Sequence, residues 1–543
     1  MTVTKEPQVT LDTLLDDIGF QTKNIFILGL PILLVSAFSL TYIFTTAELK
    51  YRCLIPECEN VRNATYLPPW LKNAVPFNKD GTPKTCYRYS TVSGTSGCNQ
   101  ASYFNLSDVQ KCTAWVYETE EVNILNEFNL QCDENKWKLP FVGSMDGIGA
   151  LLGLPLCGFM SDRFGRRITL AIFSSGVIIL GLLRSCSTSY EVFTFLDFCN
   201  AFLDSGIYSS AFVLGMELVS AKQRVSTNVI LNLFYPAGDV MLGVVGMYVT
   251  NWRWFLRLLY GPGVIFFLYY WIIPESMRWL MTKNRTDEAV EVVEKIIQNH
   301  PDRDNLDLKH ILSSSDDSAS KEETFGYFKT LGLALKSWRL LYRVIHSSIC
   351  WIGVVFLWYG VIQQSVSLTG NKHVNFIYSA LAQIPGYLMT ALALKVGHKI
   401  TFIASIGLCS AVSFAFYFTS NNLVFLRMVL YILSNIGITS AYTVIYISTC
   451  EMFPTPLRSS LLAFCSMMGR IGQVFAPQVF LLGTELPFLI FGFVALLVGF
   501  LSSFLPETLN MELPNTVKQA EYVGLQGIDN PAQDNNMNET TPS

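Results

Sequence analysis

The chain has 543 residues, 51% of them hydrophobic and 15% charged, with a formal net charge of −4. That balance excludes a disordered chain, and the positive mean hydropathy argues against an ordinary soluble enzyme. Net charge itself says little, because topology in a bilayer follows Lys and Arg in short loops.

A membrane span needs about 20 predominantly apolar residues. Twelve runs qualify: 24–46, 139–160, 168–189, 190–216, 226–250, 252–273, 344–368, 374–396, 400–419, 422–448, 459–482 and 486–505. The first is too long for a signal peptide and lacks a small-residue cleavage pattern after it, so it is expected to remain as a span. The links after runs 2, 4, 8 and 10 carry Arg163, Arg166 and Arg167, then Lys222 and Arg224, then Lys395 and Lys399, then Arg458. Among the opposite links, Arg253 and Lys372 are the main basic exceptions. Positive charge stays inside, which predicts a multi-pass plasma-membrane protein with both termini cytoplasmic.

The expected organisation follows. Residues 1–23 form a cytoplasmic N-terminus, and 24–273 a six-helix bundle that includes an extracellular loop, 47–138. A cytoplasmic linker, 274–343, leads to a second six-helix bundle, 344–505, and a tail, 506–543. The outer loop holds Cys53, Cys58, Cys86, Cys98, Cys112 and Cys132. Six cysteines in an oxidising compartment predict three disulfides, with fifteen pairings open. The same loop offers "NAT" at Asn63 and "NLS" at Asn105 as glycosylation acceptors, whereas "NRT" at Asn284 falls on the cytoplasmic side. In the linker, "DEAVEVVEKIIQNH" has helical periodicity and "SSSDDSASKEE" is polar; the tail after 510 reads as disordered.

The two halves repeat one another. "ELVSAKQR" places Glu217 before Arg224, and "EMFPTPLR" places Glu451 before Arg458, an offset of 234. "PES" at Pro274 and "PET" at Pro506 are offset by 232, as are Gly165 of "DRFGRR" and Gly397 of "KVGHKI". Two six-span repeats are an arrangement typical of transporters that bind solute between them.

These motifs carry a resemblance. "GFMSDRFGRR" (158–167) resembles the loop 2–3 signature of the major facilitator superfamily. "PESMRWL" after run 6, "EMFPTPLR" after run 10 and the Cys-rich loop are similar to the organic cation, carnitine and anion transporter family within it, the solute carrier 22-like family. The resemblance covers roughly residues 12–510 and suggests either an insect-type orphan or a carcinine- or carnitine-like member. It implies an all-α membrane fold of twelve transmembrane helices in two six-helix pseudo-repeats. It also implies a cytoplasmic gate built from Asp162, Arg163, Arg166, Arg167, Glu217, Arg224, Glu451 and Arg458. In that gate Asp162 would cap a helix start, Glu217 would meet the arginines, and Lys395, His398 and Lys399 would face Glu451. The same charges orient the spans.

Ionisable groups inside spans mark a pathway or a buried pair. At about 1.5 Å per residue, Asp204 stands roughly 20 Å above Glu217 and Arg470 about 18 Å above Arg458, both near midplane with Asp239. Asn228, Asn232, Tyr235 and Asp239 form one polar face of span 5; Asp197, Asn200 and Asp204 stripe span 4; Ser466, Arg470 and Gln473 stripe span 11. Lipid would penalise such stripes, so they should turn inward. Tyr235, Trp358 and Tyr359, with Gln363 and Gln364, complete the expected cavity, where aromatic faces can hold an organic cation. Asp146, Arg184 and Asp197 are expected to pair with one another toward the outer ends, and Arg257 to sit near the outer end of span 6.

Against the family's pattern, Arg470 stands where the cation-carrying branch has an acid in span 11, and Gln383 where it has one in span 8. Asp197 replaces an arginine in span 4, and Asp239 adds an acid in span 5. The resulting expectation is a plasma-membrane carrier of organic cations or zwitterions by rocker-switch alternating access. Asp239 would hold an ammonium, and Arg470 a carboxylate or the charge of Asp204. The alternatives are an organic anion transporter and a transporter-derived receptor that moves no solute. No GxxxxGK[ST] or HExxH motif occurs, so neither an enzyme, a cofactor nor a metal is expected. Coupling to sodium, protons or membrane potential, a monomeric functional unit and no nucleic-acid partner complete the reading.

Overall fold

The computed structural model describes residues 22–60, 63–78, 82–92, 97–220, 223–296, 332, 336–483, 485–509, 514 and 520. Lys222, the "SSSDDSASKEE" stretch and nearly all of the tail lie outside them.

Helices follow the apolar runs one for one. The first half comprises α1 (Thr22–Ser39, resuming as Thr41–Thr45), α2 (Lys138–Phe164), α3 (Arg166–Arg184), α4 (Tyr190–Glu217), α5 (Arg224–Tyr248) and α6 (Trp252–Tyr260). The line of α6 continues through a 3-10 segment, Gly261–Leu268, and Tyr269–Ile272. The second half comprises α7 (Trp338–Gln364), α8 (Lys372–Val396), α9 (His398–Phe418), α10 (Val424–Met452), α11 (Thr455–Phe475, extended by Ala476–Leu482) and α12 (Leu486–Ser502). Among the described residues, eight helical segments are long and apolar enough to cross a membrane by composition alone. The charged stripe on α4 lowers its hydropathy, and α12 has only 17 residues. Helix α7 starts six residues before its apolar run because the Ser337 side chain accepts from Leu340 N at 3.3 Å.

The halves are built alike. Helix α1 packs on α5 as α7 packs on α11; α2 packs on α4 as α8 packs on α10; α3 on α4 matches α9 on α10. Between halves, α2 meets α11 and α5 meets α8, contacts that exchange under the repeat. Each half turns from its second to its third helix at a glycine with positive φ: 106° at Gly165 and 123° at Gly397. Only glycine adopts that backbone without strain.

The loop between α1 and α2 forms a small domain. Strand β1 (Tyr51–Cys53) pairs antiparallel with β4 (Trp115–Tyr117), and β2 (Tyr87–Thr91) with β3 (Phe104–Lys111), with a register shift at Tyr89/Ser90. Disulfides join Cys53 to Cys112, Cys58 to Cys98 and Cys86 to Cys132. They supply much of what a core of seven buried residues (Cys53, Ile55, Leu71, Ala74, Val75, Phe104 and Cys112) cannot. Buried Arg52 pairs with Glu59 at 2.5 Å and stacks over Trp70. Asn63 and Asn105 are both exposed. The linker stretch expected to be helical forms Thr286–Ile296, with its last residues outside those described.

Candidate functional site

Charged and aromatic groups from both halves meet at mid-depth. Asp239 on α5 is fully buried, and its Oδ2 accepts from Gln383 Nε2 of α8 at 2.7 Å. The other oxygen, Oδ1, has no hydrogen-bond partner among the described residues. Gly238 beside it permits this: a Cβ there would run into the Leu33 carbonyl, so α1 lies against α5 and Ser36 Oγ donates to Tyr235 O at 2.7 Å. One helical turn from Asp239, the Tyr235 ring packs edge-on against Trp358 of α7 (6.0 Å) and Tyr208 of α4 (6.0 Å). Trp358 also contacts Tyr359 (4.8 Å) and Tyr442 of α10 (5.9 Å). The Tyr208 hydroxyl donates to Asn232 Oδ1 at 2.9 Å, and Asn232 Nδ2 donates to the Asn228 carbonyl at 2.9 Å.

Arg470 closes the far side. Its Nη1 donates to the Tyr359 hydroxyl and to Gln473 Oε1, both at 2.9 Å. Tyr442, Tyr446 and Tyr235 also interact with it electrostatically. Gln473 Nε2 in turn donates to Asp146 Oδ2 of α2 at 2.9 Å. Thus Asp146 does not join Arg184 and Asp197 as the sequence suggested. It faces α11, because α2 crosses the boundary between halves there. Arg184 and Asp197 do pair, both buried, and Arg184 also donates to Thr41 Oγ1 at 2.6 Å. Tyr260 bridges Arg184 to Asn200, which its hydroxyl reaches at 3.0 Å.

Asp204 departs from expectation too. Its Oδ2 accepts from Ser39 Oγ of α1 at 2.6 Å, and among the described residues no ion pair joins it to Arg470, whose Nη1 goes to Tyr359 and Gln473. Gln363 and Gln364 end α7; both are buried, and Gln364 lines a separate pocket of about 250 Å³ beside the Arg427–Glu485 ion pair. Sequence reasoning missed Tyr208, Tyr442, Tyr446 and Ser39. The polar stripes predicted which faces turn inward, and these residues lie on those faces or on an apolar span.

At the basic end, each half brings a basic side chain to a glutamate. Arg166 Nε lies 3.2 Å from Glu217 Oε2, and its Nη1 lies 3.2 Å from Asp162 Oδ1. In the second half, His398 Nδ1 lies 2.9 Å from Glu451 Oε2. Arg163 instead packs on the Phe159 and Phe164 rings, and Arg167 over Tyr270 at 4.7 Å. Arg224 opens α5, and Arg458 lies in the first turn of α11.

The helix-capping role expected of Asp162 belongs to Glu275. Its Oε1 accepts from the amides of Arg166 (2.9 Å) and Arg167 (3.1 Å) at the start of α3. Asp162 sits on the last turn of α2 with 79% of its side chain exposed, too far out to reach those amides. Burial raises the Glu275 carboxyl, while the amides and Arg167 pull it back. Glu507 repeats the arrangement on α9, accepting from His398 N at 3.0 Å and Lys399 N at 3.2 Å.

At the other end the halves are fastened together. Ser144 Oγ of α2 donates to the Val474 carbonyl at 2.7 Å, and Gln478 Nε2 donates to Ser144 Oγ at 2.8 Å. Phe44 stacks on His373 of α8 at 4.8 Å. Lys372 of α8 pairs at 2.6 Å with Glu121, in the loop between α1 and α2.

The sugar (and other) transporter family matches residues 97–516, most of the chain. The chain belongs to that family. It is a multi-pass membrane transporter and not an enzyme. It is 29% identical over 518 residues to the organic cation transporter protein of Drosophila melanogaster, covering 93% of this chain and 92% of that one. It is 26% identical over 517 residues to the human organic cation/carnitine transporter 2, covering 92% and 91%. Among solved structures it resembles the major facilitator superfamily proton:xylose symporter XylE bound to 6-bromo-6-deoxy-D-glucose. There the TM-score is 0.57 at 16% identity, over 91% of this chain and 98% of that one. A partially occluded inward-open form of XylE from E. coli gives a TM-score of 0.60 at 14% identity, covering 90% and 100%. That likeness shows the major facilitator fold.

Proposed function

We propose that this transporter carries a small organic cation or a zwitterion, with the ammonium group at Asp239 and any carboxylate at Arg470. The observation that carries the reading is Asp239: a buried carboxylate on the seam between halves, held at one oxygen by a neutral amide. Buried charges are stable only when paired, so its free oxygen suits a cationic solute. Tyr235, Trp358 and Tyr359 lead from Asp239 to Arg470 and offer aromatic faces to an ammonium. Because the seam runs through the site, rocking one half against the other would separate Asp239 from Gln383 and open the site to alternate sides. The basic end would face the cytoplasm by its Lys and Arg content, and the disulfide-bonded domain the exterior of the plasma membrane. The organic cation and carnitine relatives support the same class of solute.

A second reading, an organic anion carrier, draws on Arg470, whose hydrogen bonds go to a neutral phenol and a neutral amide. Uptake variants separate the two. Asp239→Asn should abolish most uptake of amine-bearing solutes, while Arg470→Gln should impair zwitterions and anions more than simple cations. Breaking a buried pair costs about 3–5 kcal/mol, so surface expression is measured alongside. Normal cation and zwitterion uptake by well-expressed Asp239→Asn would remove the ammonium site and promote the anion reading.

A further inference from the structure

The pocket beside the Arg427–Glu485 ion pair lies apart from the solute site. It sits at the end of the bundle that carries the disulfide-bonded domain, where α8 begins and Lys372 reaches Glu121. Its lining residues all belong to the second half. They come from the ends of α7 and α9 with the links that follow, the start of α10, and the residue before α12. Gln364, Phe416 and Arg427 are buried at its floor, and Ser367 and Asn421 are exposed at its mouth. The volume is about 250 Å³.

Arg427 sets the chemistry. It is 7% exposed, and its guanidinium lies 4.3 Å over the Phe416 ring. Its Nη2 donates to Glu485 Oε1 at 2.9 Å and to Oε2 at 2.7 Å. A guanidinium carries five N–H donors. Those on Nε and Nη1 have no hydrogen-bond partner among the described residues. The Glu485 side chain is 37% exposed, so its carboxylate remains open to a further donor.

The first half treats the same place differently. Phe416 and Arg427 stand 232 and 234 residues after Arg184 and Phe193, so the cation–ring pair recurs with its partners exchanged. Arg184 is surrounded by Asp197, Thr41 and Tyr260. Gly492, 232 residues after Tyr260, brings no hydroxyl to Arg427. The second half therefore leaves donors and space where the first half encloses its arginine.

Cationic donors withdrawn from bulk water need an acceptor. At about 30 Å³ per water, the pocket has room for an organic molecule of amino-acid size, smaller than a drug-sized ligand. A simple anion there would be repelled by Glu485, and a simple cation would leave the Arg427 donors unmet. A molecule with both a carboxylate and an ammonium satisfies both and keeps the pocket neutral. Because Arg427 and Glu485 touch, the two charged groups of that molecule must lie close together.

We infer that this pocket binds a short zwitterionic amino acid, its carboxylate on Arg427 and its ammonium on Glu485. The solute site differs, because Tyr235, Trp358 and Tyr359 separate Asp239 from Arg470. With its whole lining in one half, the pocket is not dismantled by rocking, and the amino acid is held rather than carried. The inference is independent of which solute is transported.

Equilibrium dialysis of the purified full chain with labelled glycine, L-serine and β-alanine tests it without transport. At least one should bind saturably, with one molecule per chain. Acetate and methylammonium, each with one end only, should displace it at least about tenfold less well. No saturable binding by any of the three would overturn the inference, as would equally good displacement by acetate. Excess tetraethylammonium should displace nothing; displacement would put the amino acid in the solute site and end the proposal. Arg427→Gln should abolish binding, and Glu485→Gln should remove the advantage over acetate. If these variants do not fold, Asn421→Trp decides, because it fills the mouth from an exposed turn. Native binding in folded Arg427→Gln, or in Asn421→Trp, would sink the site. In proteoliposomes the bound amino acid should not accumulate, and accumulation would overturn its being held rather than carried.

Discussion

The second-to-third helix turns of the two halves share a skeleton and differ in charge. In each, a glycine with positive φ is followed by two amides that a glutamate from far downstream accepts: Glu275 for α3 and Glu507 for α9. Each turn also brings a basic residue to the glutamate ending the fourth helix of its half. In the first half that residue is Arg166, and in the second it is His398. The cap is therefore the invariant part of the repeat, and the ion pair is the variable one. An arginine is charged at every physiological pH, whereas an imidazole changes charge near neutrality. The halves can thus be locked to different degrees by the same architecture.

The largest effects should come from the caps. Losing a cap costs about 0.5–2 kcal/mol, and a buried amide left unpaired about 1–3 kcal/mol. Glu275→Ala and Glu507→Ala should each lower thermal stability in detergent and reduce surface expression by similar amounts. A silent Glu507→Ala beside a damaging Glu275→Ala would show that the second cap carries no load and would break the equivalence.

Next come the pairs. Arg166→Ala should lower the maximal uptake rate about tenfold, or roughly 1.4 kcal/mol, with little change in apparent affinity. Asp162→Asn should do far less, because that carboxylate is mostly exposed and solvent screens it. Equal losses for the two would mean that Asp162 works through a contact formed only in another state.

The finest test swaps the basic residues. Arg166→His should lower the maximal uptake rate less than Arg166→Ala, because an imidazole keeps one donor toward Glu217 without the guanidinium fork, and His398→Arg should leave the rate nearer native than His398→Ala. Native rates in both Arg166→Ala and His398→Ala would remove the paired charges from the account.

The fold was legible because a bilayer imposes length and polarity on each span. Even α4, with Asp197 and Asp204 in it, is bounded by turn residues and fills its place in the repeat. The offsets of Gly165 from Gly397 and of Pro274 from Pro506 exposed the duplication. They did not reveal that Glu275 reaches back to the turn at Gly165, since that contact depends on where α6 ends in space. Asp146 shows the same limit. Depth along a helix can be counted, but rotation toward α11 rather than α3 is set by packing across the seam. The inward polar stripes of α5 and α11 were readable as periodicity. The three disulfide pairings were not, because spacing alone leaves all fifteen open.

The Lys372–Glu121 ion pair ties the disulfide-bonded domain, whose ends both belong to the first half, to the second half. The domain is stiffened by its bridges and held to α6 through Glu127 and Arg253 at 2.6 Å. On the proposed rocking motion it cannot stretch when the halves part at that end, so it would have to let go of Lys372 or pull the second half along. A ligand or antibody gripping both Glu121's segment and the start of α8 would act as a brake. It would arrest the cycle from outside the solute path, without touching Asp239 or Arg470.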